Sequence, residues 1–109
     1  GENEYEAYVI AQQFIFRPGT NQPIEVPEDS EVTFYVTSLD VTHGFQIVGT
    51  NVNTMVIPGQ VSELTVEFDE PGEHGIVCNE YCGTGHQDMA GNIVVHSEED
   101  WQETQGGDS

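Results

Sequence analysis

Short apolar segments separated by Pro-Gly turns place the strongest constraint on how this chain folds. The turns are Arg17-Pro18-Gly19, Ile57-Pro58-Gly59 and Glu70-Pro71-Gly72. The segments between the turns are rich in Val, Ile and Phe, and they cover residues 8–16, 32–36, 45–48, 55–57, 61–68, 75–77 and 93–95. Their composition and alternation are typical of strands, and no stretch has a helical period. Because 109 residues allow one core, we expect a single all-β domain, a small antiparallel sandwich or Greek-key barrel.

The charge balance excludes several classes of partner. The chain carries 20 Asp and Glu against one Lys or Arg, which is Arg17, and its formal net charge is −19. Without a basic patch it cannot neutralise phosphates, so nucleic acid is excluded as a partner and an anionic membrane surface is disfavoured. The acids are spread along the chain, which favours a halophilic surface adapted to high salt over a docking patch for a basic partner.

The ends of the chain differ in composition from its centre. Residues 97–109 are acidic and polar, so we expect a domain over residues 1–96 and a flexible C-terminal tail after it. Trp101 is the candidate for attaching the start of this tail to the body. No apolar run approaches the about 20 residues that cross a membrane, so we expect no membrane span in this chain.

The segment from Cys78 to Met89 departs from the strand pattern and carries soft metal donors. It reads Cys-Asn-Glu-Tyr-Cys-Gly-Thr-Gly-His-Gln-Asp-Met. Taken singly, a His or a Met is more often a packing residue, but thiols, imidazole and thioether together favour copper. His43 lies in a separate loop region. Since loops from distant strands meet at one end of a sandwich, we expect His43 to join this segment.

Simpler metal sites use only part of this set. Two Cys and two His can form a tetrahedral zinc site, but zinc has no use for a Met at a fixed spacing. A single blue-copper ion needs one Cys, two His and an axial Met. The chain offers that set in His43, Cys82, His86 and Met89. Cys78 is then left over, and a second thiolate allows two sulfurs to bridge two metal ions. His74 and His96 have no soft donors near them, and we interpret both as surface residues.

The Cys78 to Met89 segment resembles the C-x-E-x-C-G-x-x-H-x-x-M signature of the CuA domain in subunit II of haem–copper (cytochrome c type) oxidases. The likeness extends to Ile24-Glu25-Val26-Pro27, Thr37-Ser38-Leu39-Asp40-Val41-Thr42-His43-Gly44-Phe45, Ile57-Pro58-Gly59 and Pro71-Gly72-Glu73. The C-x₃-C-x₃-H-x₂-M spacing with an upstream V-x-H-G-F is specific, unlike a lone pair of Cys. The resemblance implies a cupredoxin-like Greek-key fold.

The resemblance also implies roles for individual residues. The implied metal ligands are His43, Cys78, Glu80, Cys82, His86 and Met89. Both Cys bridge two coppers as thiolates, and each His binds one copper. Met89 is the weak axial donor to one copper, and the main-chain carbonyl of Glu80 is the donor to the other. In an intact complex the Glu80 carboxylate can also reach a magnesium ion shared with subunit I.

The function that the resemblance implies is one-electron transfer. The domain accepts an electron from a soluble donor, a cytochrome c or a small blue-copper protein, and passes it to haem in subunit I. It is the electron-entry subunit of a terminal oxidase in a respiratory chain and is not catalytic as an isolated domain. We expect it at the extracytoplasmic face of the cell membrane, anchored by N-terminal helices that are absent from this chain.

One departure and several alternatives accompany this interpretation. Many family members carry a Trp-containing aromatic stretch that helps receive electrons, whereas this chain has Gln13-Phe14-Ile15-Phe16. The same ligand set would serve the CuA domain of a nitrous oxide or nitric oxide reductase. A copper-delivery module and a single-copper carrier are further alternatives. Observation of a stable mixed-valence chromophore would exclude the delivery module. A content of two coppers per chain would exclude the single-copper carrier.

Overall fold

The computed structural model describes residues 4–78 and 89–106, with side chains as far as residue 102. This part of the chain forms nine strands and one helix. They are β1 (Glu4–Gln12), β2 (Ile15–Arg17), β3 (Ile24–Pro27), β4 (Ser30–Ser38), β5 (His43–Ile47), β6 (Asn53–Val56), β7 (Val61–Phe68), β8 (Gly72–Val77), β9 (Ala90–His96) and α1 (Glu98–Gly106). The nearly all-β, cupredoxin-like architecture expected from the sequence is confirmed.

Alternation of apolar and polar residues explains why the strands form a sandwich. In β4 the buried Val32, Phe34 and Val36 alternate with residues on the other face of the strand. The edge strand β7 buries Val66 and Phe68 in the same way. Because successive side chains of a strand point to opposite faces, each of these strands has one face for the core and one for water.

Two sheets enclose the core. One has the strand order β2-β1-β4-β7, and the other has the order β3-β9-β8-β5-β6. Each contains one parallel pair, β1 with β4 and β3 with β9, so the sandwich is confirmed but the expectation that it is antiparallel fails at these two pairs. The physical reason is that β3, which lies between β1 and β4 in the sequence, belongs to the opposite sheet. The chain therefore crosses the sandwich before it returns, and such a crossover allows parallel pairing.

Aromatic side chains fill the space between the sheets. Phe16, Phe34 and Phe45 are wholly buried. The rings of Phe16 and Phe45 have centroids 5.7 Å apart at 79°, and those of Phe34 and Phe45 are 5.8 Å apart. These are favourable separations for aromatic pairs. Phe45 belongs to β5, so the core packs directly behind the strand that begins at His43.

A turn divides the predicted strand 8–16 into β1 and β2, and β3 is a strand that the sequence analysis left out. The helix α1 lies within the segment that was expected to be a tail. Ser97 begins it, since its hydroxyl accepts from the Asp100 N–H at 3.1 Å, and the first turn is acidic. The Ser97-x-x-Asp100 spacing is a capping signal that would have predicted this start.

Trp101 attaches α1 to the sandwich. Its ring lies 5.9 Å from Tyr5 of β1 in an edge-to-face arrangement, and 6.1 Å from His96 of β9. The helix is too short and too polar to cross a membrane, and no other helix occurs among residues 4–78 and 89–106. The division of the chain at residue 96 stays a prediction.

Candidate metal centre

Three of the six predicted ligands lie at one end of the β3-β9-β8-β5-β6 sheet. His43 is the first residue of β5, Cys78 directly follows β8, and Met89 directly precedes β9. Because β8 lies between β5 and β9 and is antiparallel to both, these positions meet at the same edge. The Cys78 N–H donates to the Met89 carbonyl at 3.3 Å, which continues the β8 and β9 pairing.

The donor atoms are buried and close to one another. His43 is 0% exposed, Cys78 5% and Met89 1%. The Cys78 sulfur lies 4.0 Å from Nδ1 of His43, and the N–H of Gly44 donates to the same sulfur at 3.4 Å. A main-chain N–H and an imidazole nitrogen therefore approach the same buried sulfur.

Asp40 sets the orientation of the His43 ring. Its Oδ1 lies 2.8 Å from Nε2 of His43. With Nε2 protonated and donating to this carboxylate, Nδ1 keeps its lone pair, and this lone pair is on the side of the Cys78 sulfur. A carboxylate on the second ring nitrogen is the usual support for a metal-binding His. This role of Asp40 was not predicted, although the Asp-x-x-His spacing of Asp40 and His43 is visible in the sequence.

Hydrogen bonds keep the Asp40 carboxyl ionised. Partial burial alone raises its pKa because it disfavours the charged form. The N–H groups of Gln13 and Val41 donate to its two oxygens at 2.7 and 2.6 Å, and the ring of His43 is the third partner. These bonds outweigh burial and hold the pKa of Asp40 below its usual value. The carboxylate is therefore a firm acceptor for the imidazole.

Glu80, Cys82 and His86 lie outside the described residues. Within residues 4–78 and 89–106, no three His, Cys, Asp or Glu side chains form a cluster that could hold a metal ion. The described half of the proposed site consists of an imidazole nitrogen 4.0 Å from a sulfur, both on buried residues, next to a buried methionine. This donor chemistry fits copper.

The other two histidines were expected at the surface, and the structure places both rings there, partly exposed. His74 Nδ1 pairs with the Val48 carbonyl at 3.0 Å, and the ring packs 5.3 Å from Phe68. His96 Nε2 pairs with Glu25 at 2.9 Å, and its side chain is 19% exposed. Each ring therefore also packs against a neighbouring aromatic side chain, His74 against Phe68 and His96 against Trp101.

The chain matches a known protein family over most of its length. Residues 3–98 match the family described as cytochrome c oxidase subunit II, periplasmic domain. A cytochrome c oxidase subunit 2 of Thermus thermophilus is 52% identical over 95 residues, which make up 87% of this chain and 68% of that protein. The chain belongs to the cytochrome c oxidase subunit II family. It corresponds to the CuA domain of that subunit, and the family indicates an extracytoplasmic location.

Solved structures share the backbone of this subunit II domain. A chain in the cryo-EM structure of a heme-copper terminal oxidase dimer matches with a TM-score of 0.79 and 39% identity, over 86% of this chain and 65% of that one. The periplasmic domain of subunit II from Bradyrhizobium japonicum matches with a TM-score of 0.79 over 94% of both chains. At 20% identity the second match shows the common fold alone.

Other relatives set the limits of the likeness. A second subunit 2 from Thermus thermophilus is also 52% identical, and the chain spans 55% of its length. A nitrous-oxide reductase of Stutzerimonas stutzeri is 35% identical over 78 residues, which are 68% of this chain and 12% of that protein. The similarity to the reductase is therefore the more distant one. The subunit II family implies copper, electron transport and a subunit I partner in an oxidase complex.

Proposed function

We propose that this subunit II domain holds a binuclear copper centre and serves as the electron-entry site of a terminal oxidase. The observation that carries the proposal is the orientation of the buried His43 ring. Its Nδ1 faces the Cys78 sulfur, and its Nε2 forms a hydrogen bond with the Asp40 carboxylate. A ring with only a packing role does not need one nitrogen paired and the other directed at a sulfur.

The proposed ligands are His43, Cys78, Glu80, Cys82, His86 and Met89. In this proposal the two Cys thiolates would be shared by the two ions, and each His would hold one of them. Met89 would contribute a weak thioether donor, and the main-chain carbonyl of Glu80 would contribute a weak oxygen donor. Cys78 is the residue that a single-copper site would not need, so it decides between one ion and two.

When bound, a pair of thiolate-bridged copper ions supplies one-electron redox chemistry. The chain supplies a dry and rigid site for it. Burial of His43 and Met89 keeps water away from the donors. Asp40 holds the imidazole in one orientation, and the Gly44 N–H holds the Cys78 sulfur. Ligands that are held in this way move little when the charge changes, which lowers the barrier to electron transfer.

The proposed electron donor is a cytochrome c or a small blue-copper protein. Leu39 and Val41 flank Asp40 and are 61% and 37% exposed. An apolar surface next to the residue that orients a ligand is a suitable place for a donor to dock at short range. Phe16 is wholly buried in the core, so it offers no exposed ring for electron entry, whereas Phe14 is partly exposed and packs against the core.

Further parts of the proposal concern the intact complex. The electron leaves toward haem in subunit I, and Glu80 can contribute to a magnesium site only at that interface. N-terminal helices of the longer protein anchor the domain to the membrane. The −19 net charge supports a high-salt environment, since only mobile ions can offset repulsion among so many carboxylates.

The first test is the copper content of the reconstituted domain, measured together with its EPR spectrum. We expect two coppers per chain and a hyperfine pattern in which the unpaired electron is shared by both nuclei. A pattern from one copper nucleus in the fully loaded protein would contradict the binuclear centre. Activity with nitrous oxide in the complete protein would favour the reductase alternative instead.

A further inference from the structure

The turn between β2 and β3 lies against the first residues of β9, just beyond Met89. The Thr20 hydroxyl donates to the Ala90 carbonyl at 2.6 Å and accepts from the Phe16 N–H at 2.8 Å. The Gly19 carbonyl accepts from the Asn92 N–H at 2.9 Å. Two hydrogen bonds therefore connect this turn to β9, which belongs to the opposite sheet from β2.

Direct backbone contact brings the turn and β9 closer than side chains would allow. A Cβ added to Gly91 would lie 2.7 Å from the carbonyl carbon of Gly19 and 2.9 Å from its oxygen. Real Cβ atoms essentially never approach backbone so closely, so only glycine fits at position 91 in this arrangement. The contact is thus tight and leaves the start of β9 little freedom to shift.

Met89 is fixed through both of its neighbouring strands. On one side its carbonyl accepts from the Cys78 N–H at 3.3 Å. On the other side the next residue, Ala90, is fastened to Thr20. Its side chain is 1% exposed within a close-packed interior. Once the main chain on both sides is held, the position of the thioether sulfur follows from the packing around it.

We infer that Thr20 is a positioning residue for the Met89 thioether, acting through its hydrogen bond to Ala90. The inference rests on the proposed function, in which Met89 is an axial copper donor. A weak axial donor tunes the metal through its distance, so a small shift of β9 is expected to change the redox properties. The hydroxyl suits this task because it donates and accepts at the same time.

The test compares Thr20→Val, Thr20→Ser and a control, Thr65→Val. Thr65 pairs its hydroxyl with Thr33 at 3.0 Å in the other sheet, so the control also removes one hydroxyl hydrogen bond. In the copper-free protein, Thr20→Val should speed hydrogen exchange of the Asn92 amide by about 2- to 10-fold, as expected for the loss of an adjoining hydrogen bond. Thr20→Ser and Thr65→Val should leave this exchange rate unchanged.

The copper-loaded variants then report on the thioether. Thr20→Val should shift the reduction potential, while Thr20→Ser and Thr65→Val keep the potential of the unmodified domain. Thr20→Ala removes the same hydroxyl with a smaller side chain, and it should shift the potential in the same direction. This second variant serves if Thr20→Val does not fold.

A double-mutant cycle with Met89→Leu tests whether Thr20 acts on the copper centre through Met89. In the Met89→Leu background, Thr20→Val should cause no further shift in potential. An equal shift in both backgrounds would show that Thr20 acts on another ligand and would overturn the inference. An unchanged potential in Thr20→Val, with a shift in Met89→Leu, overturns the inference and leaves the proposed function intact. If Met89→Leu itself changes nothing, the axial role fails and the inference fails with it.

Discussion

Carboxylates have opposite surroundings in two regions of this domain. The acidic face, which we define as Glu6, Glu31, Glu63 and Glu67, lies on the outer side of the β2-β1-β4-β7 sheet and is exposed. The ligand end, which we define as His43, Cys78 and Met89, is buried in the other sheet, and within the described residues Asp40 is the carboxylate that pairs with His43.

The acidic face lacks counter-charges of its own. Glu31 and Glu67 stand directly opposite each other on β4 and β7. The single basic side chain, Arg17, lies in β2 at the far edge of the same sheet. Tyr35 donates to Glu6, and this hydrogen bond, helped by desolvation and nearby charge, raises the pKa of Tyr35. Only water and dissolved ions can screen most of these charges.

At the ligand end the Asp40 carboxylate is stabilised by hydrogen bonds from neighbouring protein groups. Asp40 receives two main-chain N–H groups and pairs with the His43 ring. The difference shows that repulsion among the surface carboxylates depends on dissolved salt, whereas the charge of Asp40 is stabilised by hydrogen bonds within the protein. Substitutions at the ligand end should therefore have large effects on copper binding that do not depend on salt. Substitutions on the acidic face should have small effects on stability that do depend on salt.

The largest effect is expected from Cys78→Ser. Loss of this sulfur removes the thiolate that only a two-ion centre needs, so the loaded protein should bind one copper in place of two. Copper analysis and EPR of the loaded variant measure this. Ser62→Ala, which removes one hydroxyl hydrogen bond from β7 in the other sheet, serves as the control. Retention of two coppers with a shared electron in Cys78→Ser would contradict the proposed ligand set.

The second effect concerns Asp40→Ala. Without the carboxylate the His43 ring loses the partner that holds its tautomer and orientation, and copper affinity should fall by about 10- to 100-fold. Competition titration against a copper chelator measures the affinity, at low and at high salt. Asp69→Ala removes an exposed carboxylate and should leave the affinity unchanged. Equal losses in the two variants would mean that net charge, and not orientation, controls binding.

A smaller effect is expected from Met89→Leu. The fold and both coppers should remain while the reduction potential shifts, because an axial thioether tunes the metal more than it holds it. Met55→Leu is the control, since Met55 is 49% exposed and outside the ligand spacing. Voltammetry of the two loaded variants decides the matter, and complete loss of copper from Met89→Leu would show that Met89 has a different role.

The smallest effect belongs to Glu67→Gln on the acidic face. Removing one of two like charges that face each other across β4 and β7 should stabilise the copper-free domain by about 0.2–1 kcal/mol at low salt. At ~1 M salt the screening length is about 3 Å, so the gain should vanish. Thermal melting of the parent and the variant across salt concentrations measures it. A gain that persists in high salt would point to a contact effect in place of charge repulsion.

Much of the fold and of the site was predictable from particular residues. The alternation in β4 and β7 predicts their faces directly, because the period of a strand is a local property. The C-x₃-C-x₃-H-x₂-M spacing identifies candidate ligands for the same reason. The parallel pairs were not predictable in this way, since pairing of β1 with β4 depends on where β3 lies in the other sheet. The helix α1 was missed although its Ser97 cap was visible.

By itself, the sequence determined the all-β class, the kinds of donor atom and their spacing within one segment. It also determined the acidity, which is a matter of composition. Tertiary structure decided which nitrogen of His43 faces Cys78, because that depends on Asp40 and on two strands that meet only in the folded chain. It likewise decided that Thr20 fastens Ala90, a contact between residues 70 positions apart. The type and spacing of donor atoms can be read from neighbouring residues in the sequence, whereas the orientation of a ligand depends on contacts between residues far apart in the chain.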